Sequence, residues 1–227
     1  MSSLSPLQHA VLTSTLRRLG EEVSRGSRVA PLFKSSCLHT RFLCSLIIIK
    51  TISQVDVLAQ AVEVLSGAVR TDEGQALFLE YQALPAVLAL LRSGSPGLLA
   101  PSVDVLLQMS AESPGTLSSF LDQCSSEDFF RCASLFLRNP RLEPPLLEKM
   151  LMLLQKLSGI RHLLCQKLTI SRTLILWFVC RKNKRLFEAS SLHLLLQEMH
   201  RTSDRSQAFI SMNLSSILLN LGMLTRS

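Results

Sequence analysis

Residues 61–69 read AVEVLSGAV and residues 79–93 read LEYQALPAVLALLRS. Leu58, Val62, Leu65 and Val69, in and just before the first stretch, recur at intervals of three and four, the spacing of one face of an α-helix. The second stretch carries an apolar run that closes on Arg92-Ser93, and Ser93-Gly94-Ser95-Pro96-Gly97 then breaks the chain before the next helix. Ser113-Pro114-Gly115 and Asn139-Pro140 are further breaks, Pro144-Pro145 can open a helix, and Ser5-Pro6 supplies an N-cap and a first-turn proline for a helix near residues 6–25. No segment sustains period-two alternation. Ile47-Ile48-Ile49 is β-like in composition, but Phe42, Leu46 and Ile49 also fit helical spacing.

The helices recur with a period. Leu-Leu-Gln occurs at Leu106–Gln108, Leu153–Gln155 and Leu195–Gln197, at intervals of 47 and 42 residues, and Val64-Leu65-Ser66 precedes the first copy by 42. Phe33, Phe78, Phe120, Leu164 and Phe209 form a second series, spaced by 45, 42, 44 and 45 residues. Two anchors with one period predict stacked helical modules, each burying its apolar face on a neighbour.

On these residues the chain resembles the armadillo repeat, a unit of three helices, with the HEAT repeat as the close alternative. Ala61–Val69 is similar to the third helix of such a repeat, and Leu79–Ser93 to the first-to-second-helix junction and second helix of the next. The resemblance implies an all-α, right-handed α-solenoid of about four to five repeats, incomplete at both ends. The expected units of this single domain are 1–30, 31–72, 73–115, 116–159, 160–203 and 204–227. In this phase the helix near 6–25 is a third helix and the one near 210–225 a second helix. The latter carries few charges, so it is expected to be covered by a partner, a second copy or further chain.

Composition agrees with a folded helical protein. Of 227 residues, 47% are hydrophobic and 18% charged, which excludes a disordered chain, and leucine makes up about a fifth. Aromatics, at 5%, are too sparse for a β-sandwich or barrel. The net charge of +7 is unevenly spread: residues 1–53 carry +5, 54–128 carry −8 and 129–227 carry +10. The basic C-terminal part implies an acidic partner, an anionic membrane surface or nucleic acid, although few aromatics interleave with the cations, as single-strand binding would require. Cys37, Cys44, Cys124, Cys132, Cys165 and Cys180 form no C-x-x-C pair and read as reduced core thiols of an intracellular, cytoplasmic or nuclear protein. The start has no basic-then-apolar signal pattern. The charge-free run 206–225 is interrupted by Ser211, Asn213, Ser215, Ser216 and Asn220, so it reads as a core helix rather than a membrane span.

No catalytic pattern is present: no phosphate-binding Gly-rich loop, no nucleophile elbow, no H-E-x-x-H. His193 and His200 lie two turns apart with no third ligand suggested, so neither a metal nor a cofactor is expected. Leu192–Leu196 reads L-x-x-L-L and fits packing within a repeat, and Asn213-Leu214-Ser215, formally a glycosylation acceptor, would be silent in a helix core.

Armadillo proteins that bind extended peptides line the groove with Trp and Asn ladders on their third helices. The matching positions here are Glu63, Val105, Met152 and Leu194 for Trp, and Gly67, Met109, Lys156 and Glu198 for Asn. Neither ladder is present, and these side chains do not reproduce the paired donor and acceptor of an Asn amide. The resemblance therefore implies a non-enzymatic protein–protein scaffold with one dedicated protein or peptide partner. The candidate binding residues are Glu63, Arg70, Met109, Glu112, Lys156, Glu198 and Arg201, together with the cations Arg181, Lys182, Lys184 and Arg185, expected at an inter-helix turn. The alternative is a basic solenoid that binds nucleic acid or an anionic membrane surface.

Overall fold

The computed structural model describes residues 31–51, 53–111, 116–158, 182–203 and 207–224, and every regular element among them is helical. The helix expected near residues 6–25 lies outside these residues. The helices are α1 (Pro31–Thr51), α2 (Val55–Ala68), α3 (Asp72–Glu80), α4 (Leu84–Ser93), α5 (Pro96–Met109), α6 (Leu117–Cys124), α7 (Glu127–Leu137) and α8 (Pro144–Ser158), then α9 (182–189), α10 (Leu192–Thr202) and α11 (Ala208–Asn220). Contacts divide the chain into two units, Met1–Ser119 and Phe120–Ser227.

Local chemistry sets the helix ends. Thr71 caps α3 by accepting from the Gly74 amide at 3.1 Å, and Ser126 caps α7 by accepting from Phe129 at 3.4 Å. Pro96 opens α5 and Pro144 opens α8, where the missing N–H costs nothing. Gly94 ends α4 in the left-handed conformation, at φ 67°, which only glycine adopts cheaply. The Ile47–Ile49 triplet is helical, because the α1 face bearing Phe42, Leu46 and Ile49 is buried.

In unit 1, α2 packs against both α1 and α5, α4 packs on α5, and α1 touches α3 and α4. Phe42, Val62, Leu65, Phe78, Val87, Val103 and Leu106 fill the core with no exposed surface. The α2–α3 corner is held by Thr71 Oγ1, which donates to Ala68 O at 2.9 Å, and by Gln75 Nε2, which donates to Val69 O at 3.1 Å. Thr116 Oγ1 in turn donates to Gln75 Oε1 at 2.8 Å.

Unit 2 also pairs helices that are distant in sequence. Here α8 packs against α11, and α10 packs against α11 and α7. Gln155 Nε2 donates to Ser216 Oγ at 2.9 Å, and Asn220 Nδ2 donates to Ser158 Oγ at 3.2 Å. Thus α11 takes the place of a third helix beside α8, as α5 does beside α2, and α10 takes that of a second helix. The short–medium–long order α3–α4–α5 returns in α6–α7–α8. The aromatic series changes. Phe78 and Phe120 are fully buried, but Phe209 is 66% exposed, and the corresponding core aromatic in α9 is Phe187, buried against Phe130 with ring centroids 4.7 Å apart. The third Leu-Leu-Gln also shifts, since Leu196 rather than Leu195 is the fully buried residue. Leu164 lies outside the described residues.

Candidate functional site

A stacked row of third helices buries one side of each helix and leaves the other to solvent. On α2 the outward side carries Glu63, which is exposed, with Arg70 exposed just past the helix end. On α8 it carries Met152, 44% exposed, and the half-buried Lys156. Met109 does not belong to this surface. It is fully buried, as is Val105 one turn before it, while Asp104 and Gln108 are partly exposed. The assignment on α5 is off by one residue, and one residue turns a helix face by about 100°. Glu198 and Arg201 are exposed and ion-paired with each other, but they sit on α10, a second helix, away from the third-helix row. Glu112 and Arg181 lie outside the described residues.

From residue 182 onward the basic run is not a turn. Residues 182–189 are helical, and Asn183, in the middle of the cations, is buried and donates from Nδ2 to Leu157 O at 2.9 Å. That bond fastens α9 to the C-terminal end of α8. Lys182, Lys184 and Arg185 stay exposed around it. Lys184 Nζ is 3.9 Å from the position a Cβ on Gly222 would take, so it stands by the end of α11 as well. Cations are favoured there, because the carbonyls of a helix C-terminus carry partial negative charge.

The histidines have ordinary partners: His193 Nδ1 lies 3.1 Å from Phe187 O, and His200 Nε2 lies 2.9 Å from Ser215 Oγ. No group of three or more His, Cys, Asp or Glu among the described residues is placed to hold a metal ion. Leu192 and Leu196 of the L-x-x-L-L run are fully buried, and Asn213 is buried with its amide donating to Phe209 O at 2.9 Å. Among the described residues no single helix is long and apolar enough to cross a membrane.

Cys124 and Cys132 are buried and Cys44 is exposed. Burial pushes the Cys124 thiol well above its ordinary range, which suppresses the reactive thiolate. Brief iodoacetamide treatment of the native chain at neutral pH is therefore expected to label Cys44 at least tenfold faster than Cys124, as read by peptide mass mapping. Equal rates would contradict the burial.

The sequence pointed to α11 as a helix in need of a cover but not to the residues: the exposed apolar row on it is Phe209 (66%), Met212 (60%) and Leu219 (37%). Ile210, Leu214, Ile217, Leu218 and Leu221 already form its buried face. The signal was a helix apolar on two sides, which a single partner helix does not explain.

Residues 2–175 and 170–221 match the family described as coiled-coil domain-containing protein 138, C-terminal domain. The chain belongs to this family. The human coiled-coil domain-containing protein 138 is 43% identical over 95% of this chain and the mouse protein 42% identical over 95%. The chain spans about a third of the length of these relatives (32% and 31%). Among solved structures, a designed armadillo repeat protein in complex with a (KR)4 peptide is similar over 96% of this chain and 95% of its own, with a TM-score of 0.50 at 12% identity. This member of the family thus has an armadillo-like helical-repeat fold.

Proposed function

We propose that the chain is a non-enzymatic scaffold that takes a protein or peptide partner on its third-helix faces. The observation that carries this reading is the side-by-side pairing of third helices, α2 with α5 and α8 with α11, which leaves long outward faces of mixed chemistry. The designed armadillo protein of similar fold, in complex with a peptide, supports it. The reading places the protein inside the cell, in cytoplasm or nucleus, where the buried thiols of Cys124 and Cys132 serve as core hydrophobes.

Proximity labelling with the chain, followed by mass spectrometry, tests the proposal. The variant pairs Glu63→Lys/Arg70→Glu and Lys182→Glu/Lys184→Glu are compared with wild type. At least one pair is expected to lose a reproducible set of partner proteins, and a partner set indifferent to both would count against these surfaces. The exposed cations of α9 favour a second reading, binding of nucleic acid or an anionic membrane. That reading requires affinity to fall steeply with salt, and no association with RNA, DNA or acidic liposomes at low salt would dispose of it.

A further inference from the structure

In unit 2 the helices α8 and α11 run parallel, side by side. Gln155 bonds Ser216, and about one turn later Ser158 accepts from Asn220. Met152 lies one turn before Gln155, and Met212 one turn before Ser216, so the two methionines stand level. Both are exposed, and Phe209 and Leu219 extend the apolar row along α11. Methionines and aromatics are enriched in the cores of protein interfaces, and contiguous exposed apolar residues mark binding surfaces.

Exposed cations gather at one end of this row. Its C-terminal end meets α9, tied there by the Asn183–Leu157 bond, with Lys184 and Arg185 exposed. Glu148 and Lys149, both partly exposed and of opposite charge, lie one turn before Met152 at the other end, and the exposed Glu188 lies further along α9. The positive end is thus local to the ends of α8 and α11. Resting on the scaffold reading, we propose that this face binds an amphipathic helix of a partner protein. Its apolar side would cover Met152, Phe209, Met212 and Leu219, and acidic residues at one of its ends would meet Lys184 and Arg185. Apolar burial would supply the affinity, and the charged end would fix the direction in which the helix lies.

The test is selection of a phage-displayed library of random 16-residue peptides on the full chain. Enriched peptides are expected to carry apolar residues at helical spacing and a cluster of Asp or Glu at one end. Fluorescence anisotropy should show them binding at least tenfold more weakly to Met212→Asp and to Lys184→Glu/Arg185→Glu. Leu194→Asp, at an exposed position on α10, should bind as wild type and serves as a control for general damage. Phe209→Asp, at the most exposed position of the row, is a second apolar probe whose fold is checked by circular dichroism. Enriched peptides that lack a terminal acidic cluster, or that ignore these substitutions, would overturn the inference. So would binding of a 20-nucleotide poly-U RNA that the charge reversal abolishes while no peptide is enriched. Peptides lost instead to Glu63→Lys/Arg70→Glu would overturn this inference and leave the scaffold reading standing. Enrichment of nothing, together with an empty proximity-labelling result, would sink both.

Discussion

Phe130→Ala is expected to destabilise unit 2 by about 3–5 kcal/mol, the range for truncating a fully buried phenylalanine. Phe130 has no exposed surface. Its ring meets Phe187 of α9 at 4.7 Å and Phe129 at 5.6 Å, both edge to face, an arrangement favoured by the aromatic quadrupole. Removing it opens a cavity between α7 and α9 and leaves Phe187 without its aromatic neighbour. Amide hydrogen exchange read by mass spectrometry should show faster opening in peptides from 120–158 and 182–203. Phe209→Ala is the comparison. In the series spaced by 42–45 residues it is the counterpart of the buried Phe120, yet it is largely exposed and should cost no more than a few tenths of a kcal/mol. Equal losses for the two would refute the pairing of Phe187 with Phe130 as the core contact.

The second large effect lies at the α2–α3 corner in unit 1. A Cβ on Gly74 would stand 2.0 Å from Ala68 O and 2.5 Å from its carbonyl carbon. These are backbone atoms at the end of α2, and they cannot swing aside as a side-chain tip would. Gly74→Ala must therefore push α3 off α2, straining the Thr71 cap and the Gln75 bond to Val69. A loss of about 3 kcal/mol is expected, at the upper end for overpacking. Gly97→Ala is the contrast: nothing lies within 4 Å of its added Cβ, so it should gain about 0.4–1 kcal/mol by restricting the unfolded chain. Urea unfolding of the two variants should move the midpoint in opposite directions. A neutral Gly74→Ala would show the corner to be looser than its geometry.

The sequence made the helices and their breaks legible because those are local matters. Ser93–Gly97 and Pro144-Pro145 carry their own backbone preferences, and Phe78 and Phe120 lie in helices of ordinary length. The neighbour of α11 was not legible, because a sequence period does not say which helix an apolar face packs on. Packing requires only that an apolar face find a neighbour, and α11 finds α8 across 61 residues, from Gln155 to Ser216. That interval is longer than the 42-residue step from Phe78 to Phe120. The same local bias hid Asn183. Charge density around it suggested an inter-helix turn, but residues 182–189 are helical and a buried amide bond to Leu157 O docks them on α8. The apolar row on α11 was half visible, as a helix too poor in charge to be covered on one side only.

The docked state of that segment also bears on how the chain meets trypsin-like proteases. Several cations packed into a few residues would ordinarily be the first place such an enzyme cuts, since it needs an extended strand to thread its cleft. Here Lys182, Lys184 and Arg185 ride on helical backbone. Scission must await the unwinding of α9, which also pulls Phe187 away from Phe130. When reclosing outpaces cutting, the nicking rate at these cations gauges the free energy of opening α9, turning a run of attractive cleavage sites into a built-in gauge of local folding.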